Sequence, residues 1–375
     1  MKNIKTLLKN NIKNIYGSRT NRKIVVFSVD DYGNVRLDSK EARARMDAEG
    51  SKIYSRFDAL DTLETTDDLS QLYEALSSVK DKNGKHAVFT PFALSCNIDF
   101  DAMQANHYEE FRNELLPVTF EKLESNQPQA YKATWRLWKE GIAKGLMVPQ
   151  FHGREHLNLA ILNDKLKSKS HDVLTALKNR SYTSINDDQY PTMHFPAAFD
   201  FWDFEENKAF EHIIADGLNA FEKVYGYRAE HFNAPGAAEH HIIHEYLFAN
   251  GVKYMDAEFQ KREHQGRGVY KKVMNYTGKR NQMGMMYQVR NVVFEPTEAK
   301  GIDWVSYTMD QIEAAFFWNR PAIISSHRVN FCGHIDEKNR QQGIQALKDL
   351  LKRIVQKWPD VEFMSANALG DILAK

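Results

Sequence analysis

Short apolar runs alternate with longer stretches of helical periodicity, and this alternation limits the possible folds more than any other feature. The runs at 24–29, 87–94, 146–151, 229–233, 252–255, 286–294, 322–326 and 361–364 read as strands. Helical patterns fall at about 67–80, 102–125, 129–143, 206–225, 238–250, 309–319, 338–357 and 366–374. Parallel neighbours need a crossover of a dozen or more residues, so the pattern predicts an α/β fold with parallel strands wrapped by helices. Roughly seven or eight such units point to a closed or nearly closed β/α barrel. An open doubly wound sheet is the alternative, although no G-x-G-x-x-G or phosphate-loop pattern follows a strand to favour it.

No repeat or low-complexity linker interrupts the series, so residues 22–375 read as one domain. An irregular excursion at about 160–204 is expected to cross the barrel mouth, with "HFPAAFDFW" as a candidate wall of the site. Lys and Arg number 50 and so do Asp and Glu, so no global field favours nucleic acid or an anionic surface. Cys96 and Cys332 are expected to be buried free thiols rather than a disulfide framework or a C-x-x-C motif. Residues 1–21 are basic and amphipathic, with Ile4, Leu7, Leu8, Ile12 and Ile15 at helical spacing; docking of that apolar face on the domain is the expectation, a membrane-surface anchor the alternative. The segment lacks a signal-peptide apolar core and no run is long enough to span a bilayer, so a cytoplasmic protein is expected.

Chemistry gathers at the expected strand ends. The run "IVVFSVDDYGN" ends in Asp30 and Asp31, whose like charges raise one another's proton affinity unless a cation or donors compensate. A metal ion would resolve that conflict; the plainer reading makes one Asp a cap and leaves the other solvated. "VPQFHGREHLN" places His152 and His156 four residues apart, on one face if that segment is helical. Two imidazoles and a carboxylate leave open coordination positions, as in hydrolytic zinc sites. His240 and His244 repeat the spacing inside an expected amphipathic helix and read as surface or groove residues. "RPAIISSHRVNF" ends a strand at His327, a candidate general acid.

Taken in order, Asp30-Asp31 with Gly33, His152 and His156, "FNAPG" at 232–236 and His327 resemble the successive motifs of NodB-like polysaccharide deacetylases, as a divergent member. The resemblance covers roughly residues 22–365 and implies a distorted β/α barrel of about seven strands. It implies a divalent metal, zinc foremost, held by Asp31, His152 and His156, with Asp30 as catalytic base and His327 as general acid. It also implies removal of an acetyl group from an N-acetylated, less readily an O-acetylated, saccharide; the lack of a signal-peptide core adds the expectation of a cytosolic sugar precursor in surface-polysaccharide metabolism. Tyr32, Asn233, Pro235, Arg290 and Arg328 are the expected substrate-side residues, and Tyr32, Trp202, Phe232, Trp304 and Phe331 are candidate sugar-packing rings.

Two departures from the pattern bear on mechanism. Tyr32 is inserted between the carboxylates and Gly33, and Asn233 stands where the family has an arginine that orients the base. Asn donates a hydrogen bond but no charge, which leaves Arg290 or Arg328 to supply it. Hydrolysis of a non-sugar amide, and a catalytically silent saccharide-binding protein, are the alternative readings.

Overall fold

The structure is a computed structural model and describes Leu8, residues 10–185 and residues 188–375. Ile4 and Leu7 of the N-terminal segment, and residues 186–187 of the excursion, lie outside the described residues. Eight parallel strands form the main sheet: β1 (Ile24–Tyr32), β2 (Phe89–Leu94), β3 (Gln150–Gly153), β4 (His231–Phe232), β5 (Tyr254–Ala257), β6 (Met286–Val289), β7 (Val292–Val293) and β8 (Ala322–His327). Their spatial order is β6-β5-β4-β3-β2-β1-β8-β7, and a ninth strand, β9 (Glu362–Phe363), pairs with the start of β1. All nine residues of β1 are buried. A strand covered on both faces reads as a continuous apolar run rather than an alternation, which is why IVVF is legible as a central strand.

The sheet is curled and open along one seam, so of the two forms expected it is not the closed barrel. The stretch 286–294, expected as one strand, divides at Arg290-Asn291: β6 is one edge of the sheet and β7 the other. Only two residues join them, so the edges come within roughly 11 Å of each other without pairing.

Helices start where side-chain oxygens cap free backbone N–H groups. Thr65 and Asp68 form a capping box at Thr66–Ser77, and Asn158 accepts from the Ile161 N–H at Leu159–Lys167. The helix expected at 102–125 is instead interrupted. His107 and Tyr108 take positive φ after Phe100–Ala105, and Asn113–Leu115 pairs antiparallel with Cys96–Ile98 before Leu116–Asn126 begins. The helix expected at 238–250 is a 3-10 turn, His241–Ile243, followed by His244–Ala249. An antiparallel hairpin, Gln260–Gly266 with Val269–Met274, was not anticipated, because its first strand is charged and polar and Lys271-Lys272 interrupt the apolar residues of its second.

This hairpin and the excursion pack on each other. His264 stacks between Phe201 and Tyr270, with ring centroids 5.0 and 4.8 Å away, and its Nδ1 lies 2.7 Å from Asp200 Oδ1. In "HFPAAFDFW" the rings of Phe195, Phe199 and Phe201 are buried, so this stretch builds core, while Trp202 is partly exposed and His194 exposed. Both cysteines are buried free thiols. No helix among the described residues is long and apolar enough to cross a membrane.

The N-terminal segment docks the other way round from the expectation. Asn10 and Asn14 face the protein, while Leu8, Ile12 and Ile15 are 57%, 50% and 39% exposed. Hydrogen bonds hold it rather than apolar burial: Asn291 Nδ2 donates to Asn14 Oδ1 at 2.7 Å, and Arg320 donates to the carbonyls of Asn14 and Ile15.

Candidate metal centre and catalytic groups

The adjacent carboxylates face different partners because the backbone kinks between them. Ordinary strand geometry would send Asp30 and Asp31 to opposite faces. Asp31 instead has φ 75°, and the β1–β2 register shifts between Val29 and Tyr32. Such a bulge re-aims a side chain, and a left-handed conformation at a non-glycine residue costs on the order of 1–3 kcal/mol. Gly33 follows at φ 73°, where an added Cβ would sit 3.2 Å from the Leu94 carbonyl oxygen and 3.0 Å from a Leu116 methyl.

Asp31 meets the histidines of β3 and the turn after it. Its Oδ1 lies 3.0 Å from His156 Nε2 and 3.5 Å from His152 Nε2, and all three residues are buried. The pair does not share a helical face: His152 is on β3 and His156 follows in an irregular turn. Gly153 between them, at φ 132°, brings the backbone close to Phe199 and Pro235, so that the "FNAPG" turn closes against β3.

The donor chemistry fits a metal ion. His152 Nδ1 donates to the Asn233 carbonyl at 2.8 Å, which leaves its Nε2 as a lone pair, buried and without a hydrogen-bond partner. Metal-ligating histidines are held in this way by an outer acceptor. Burial lowers the pKa of His156, against the pull of Asp31, and so favours the neutral ring that ligation requires. Burial opposes ionisation of Asp31, yet the close approach of His156 and His152 to its carboxylate holds its pKa well below the usual range.

Asp30 belongs to a separate network. Arg290 grips it in a bidentate pair, NH1 to Oδ2 at 2.6 Å and NH2 to Oδ1 at 2.7 Å, and Asn233 Nδ2 donates to Oδ1 at 3.0 Å. The positive charge missing at position 233 therefore arrives from the seam of the sheet. Arg290 Nε in turn donates to Asp256 Oδ2 at 2.6 Å, and Asp256 Oδ1 lies 3.0 Å from the buried His231. Burial disfavours the Asp256 charge, but Arg290 and His231 outweigh it and lower its pKa.

His327 stands beside Asp30 on the neighbouring strand, in register with it, with Nε2 3.8 Å from Asp30 Oδ2. Its Nδ1 lies 2.7 Å from Glu295 Oε1, and Glu295 is itself held by Arg56 and by Asn330 Nδ2 at 2.8 Å. Burial works against a charged ring, but Glu295, with Asp31 and Asp30, raises the His327 pKa to about 9. About a third of the side chain is exposed, which leaves Nε2 a route to a reacting group.

The structure thus brings Asp30, Asp31, His152, His156, Asn233, Arg290 and His327 together, and it places the other expected residues differently. Arg328 does not reach Asp30: it is buried against Asp61 (2.9 Å) and Glu64 (3.1 Å). Tyr32, 1% exposed, packs edge-on against Trp138 and presents no surface to a substrate. Phe232, Trp304 and Phe331 are buried as well, and Pro235 is enclosed in its turn. Asp256 and Glu295 were not anticipated; the signal that could have found them is an acidic residue at or just after the end of a strand, as at Asp30.

The second histidine pair is buried, not on the surface. His240, His241 and Glu263 form another group of close donor atoms. His240 fails the same donor test. Its Nδ1 accepts the Ile242 N–H at 3.1 Å, so the neutral ring carries its proton on Nε2, the atom facing Glu263. Ligation through Nε2 would move that proton to Nδ1 and set it against the backbone N–H.

No protein-family model matches the chain, and no curated protein does. Among solved structures it resembles a 4-alpha-glucanotransferase from Thermococcus litoralis (10% identity, TM-score 0.46), covering 93% of this chain but only 40% of that one. It also resembles a probable polysaccharide deacetylase from Pseudomonas aeruginosa PAO1 (10% identity, TM-score 0.45, 94% and 90% of the two chains). A third is Puue allantoinase (13% identity, TM-score 0.41, 94% and 90%).

Proposed function

We propose that the protein is a metal-dependent hydrolase of an amide bond, with removal of an acetyl group from an N-acetylated saccharide as the leading reaction. The observation that carries this reading is the division of labour between neighbours: Asp31 is turned to His152 and His156, while Asp30 is turned to Arg290 and lies 3.8 Å from His327. Asp31, His152 and His156 would hold a divalent cation, zinc by donor type, which when bound lowers the pKa of water and polarises a carbonyl.

Asp30 accepts the proton of the attacking water, its lone pairs aimed by Arg290 and Asn233. His327, protonated at neutral pH through Glu295, gives its proton to the departing amine. Burial of Asp31, His152 and His156 keeps bulk water from the charges gathered there.

A second reading, hydrolysis of a non-sugar amide, draws support from the buried rings: of the five candidates Tyr32, Phe232, Trp304 and Phe331 offer no platform for a sugar face, and Trp202 alone is partly exposed. Assays of acetate release from acetylated oligosaccharides, run beside linear and cyclic amides, separate the two. The acetyl-saccharide reading falls if only the non-sugar amides turn over. Both hydrolase readings fall, leaving a silent saccharide-binding protein, if metal-loaded protein binds acetylated sugar, cleaves nothing, and binds equally well as Asp30→Asn.

A further inference from the structure

The N-terminal segment presents to solvent the face that a docked helix would bury. Leu8, Ile12, Ile15 and Tyr16 are 57%, 50%, 39% and 66% exposed, and Asn10 and Asn14 are turned inward. The arrangement is fixed, because Trp318 Nε1 donates to Asn11 Oδ1 at 2.8 Å and Arg320 donates to two backbone carbonyls of the segment. Phe317, beside Trp318, is 75% exposed and extends the apolar surface. Four large apolar side chains at helical spacing cost free energy in water unless something covers them.

Charge selects the occupant. Residues 1–29 contain no acidic residue, although the whole chain is neutral. Arg22 and Lys23 are answered by Glu362 and Asp360 and Lys13 donates to Gln311, and the sequence of the segment adds Lys2, Lys5, Lys9 and Arg19. A second copy would bring the same cationic segment against itself, whereas an anionic lipid surface meets the apolar side chains and the cations together.

We infer that this face is a membrane-surface contact, in which Leu8, Ile12, Ile15, Tyr16 and Phe317 enter the headgroup region of an anionic bilayer and the flanking lysines and arginines meet the lipid charge. The segment docks at the Ala322 end of β8, through Asn291 and Arg320. His327, at the other end of that strand, is roughly 17 Å further along it. Bound in this way, the protein holds the ends of its strands, with their catalytic groups, away from the lipid.

The test is co-sedimentation of the full chain with vesicles of phosphatidylcholine alone and of phosphatidylcholine mixed with phosphatidylglycerol. Ile12→Ser combined with Tyr16→Ser is compared with a control in exposed apolar residues elsewhere, Val269→Ser with Phe248→Ser (61% and 52% exposed). The expected result is partitioning onto the anionic vesicles only, weakened by salt, reduced roughly tenfold or more by the first double variant and unchanged by the control. The inference is overturned if neither vesicle binds the protein, or if both double variants partition alike. It is also overturned if Ile12→Ser/Tyr16→Ser abolishes a concentration-dependent dimer while vesicle binding is absent. Circular dichroism on each variant confirms that the fold is kept.

Discussion

His152 and His156 are four residues apart, and so are His240 and His244, yet a backbone contact on one ring nitrogen separates their chemistry. His152 donates a hydrogen bond from Nδ1 to a carbonyl, and the lone pair on Nε2 is left facing His156 and Asp31. His240 accepts a hydrogen bond from a backbone N–H at the same ring position, and its Nε2 carries the proton on the side facing Glu263. Residue type and spacing are therefore insufficient to identify a ligand; the direction of one hydrogen bond decides it.

The sharpest way to break this comparison is to truncate each pair. His152→Ala is expected to lower metal affinity by more than about 100-fold, exceeding the 10–100-fold that follows loss of an outer partner, and to abolish hydrolysis. His240→Ala should leave metal content at the wild-type level. Elemental mass spectrometry on both proteins checks this, and metal lost equally from both would overturn the distinction.

Arg290→Ala comes next. It strands Asp30 and Asp256 as buried carboxylates without their shared cation, for an expected loss of about 3–5 kcal/mol in urea unfolding. Activity should fall in kcat more than in KM, and Arg290→Lys should restore stability better than rate, because an ammonium cannot reproduce the bidentate grip.

The pH response sharpens the contrast. In metal-free protein the His327 pKa is raised to about 9, so its contribution to stability is complete below about 6.5 and is lost as pH rises through about 9. Burial, helped by His241, pushes His240 down to about 4, so the unfolded chain binds that proton more tightly. Stability from this group is full above about 6.5 and declines as pH falls toward about 4. Glu295→Gln should bring the His327 titration, followed by NMR, down toward neutrality without moving that of His240. An unchanged His327 midpoint would show that Glu295 does not set it.

The smallest effect is expected from His240→Asn, whose side-chain oxygen can accept the same Ile242 N–H; it should cost less than the about 1 kcal/mol expected of His240→Ala. Equal losses in thermal unfolding would mean that the cap contributes little.

The candidate metal and proton-transfer groups were legible because most of them lie at or near the ends of short strands: β1 opens on the apolar run Ile24–Phe27, His152 is the penultimate residue of β3, and His327 is the last of β8. The partners that orient them were not legible, since Arg290 reaches Asp30 across 260 residues and Glu295 meets His327 across 32. Which arginine reached the base depended on where the sheet opens, and no local pattern carries that. Periodicity likewise identified the N-terminal amphipathic segment but not which side it docks, because buried asparagines with fixed partners outweighed apolar burial.

A sheet whose edges do not pair must be held shut by something other than a strand ladder. Arg290 sits on the two-residue link between those edges and ties β1 to the end of β5 through Asp30 and Asp256. The side chain that aims the proposed base is thus also the clasp of the barrel. If the seam parts by an ångström or two, proton transfer loses its geometry while every strand keeps its ladder. Rate should therefore report on barrel closure sooner than secondary structure does, with activity fading at urea concentrations that leave the far-ultraviolet circular dichroism unchanged.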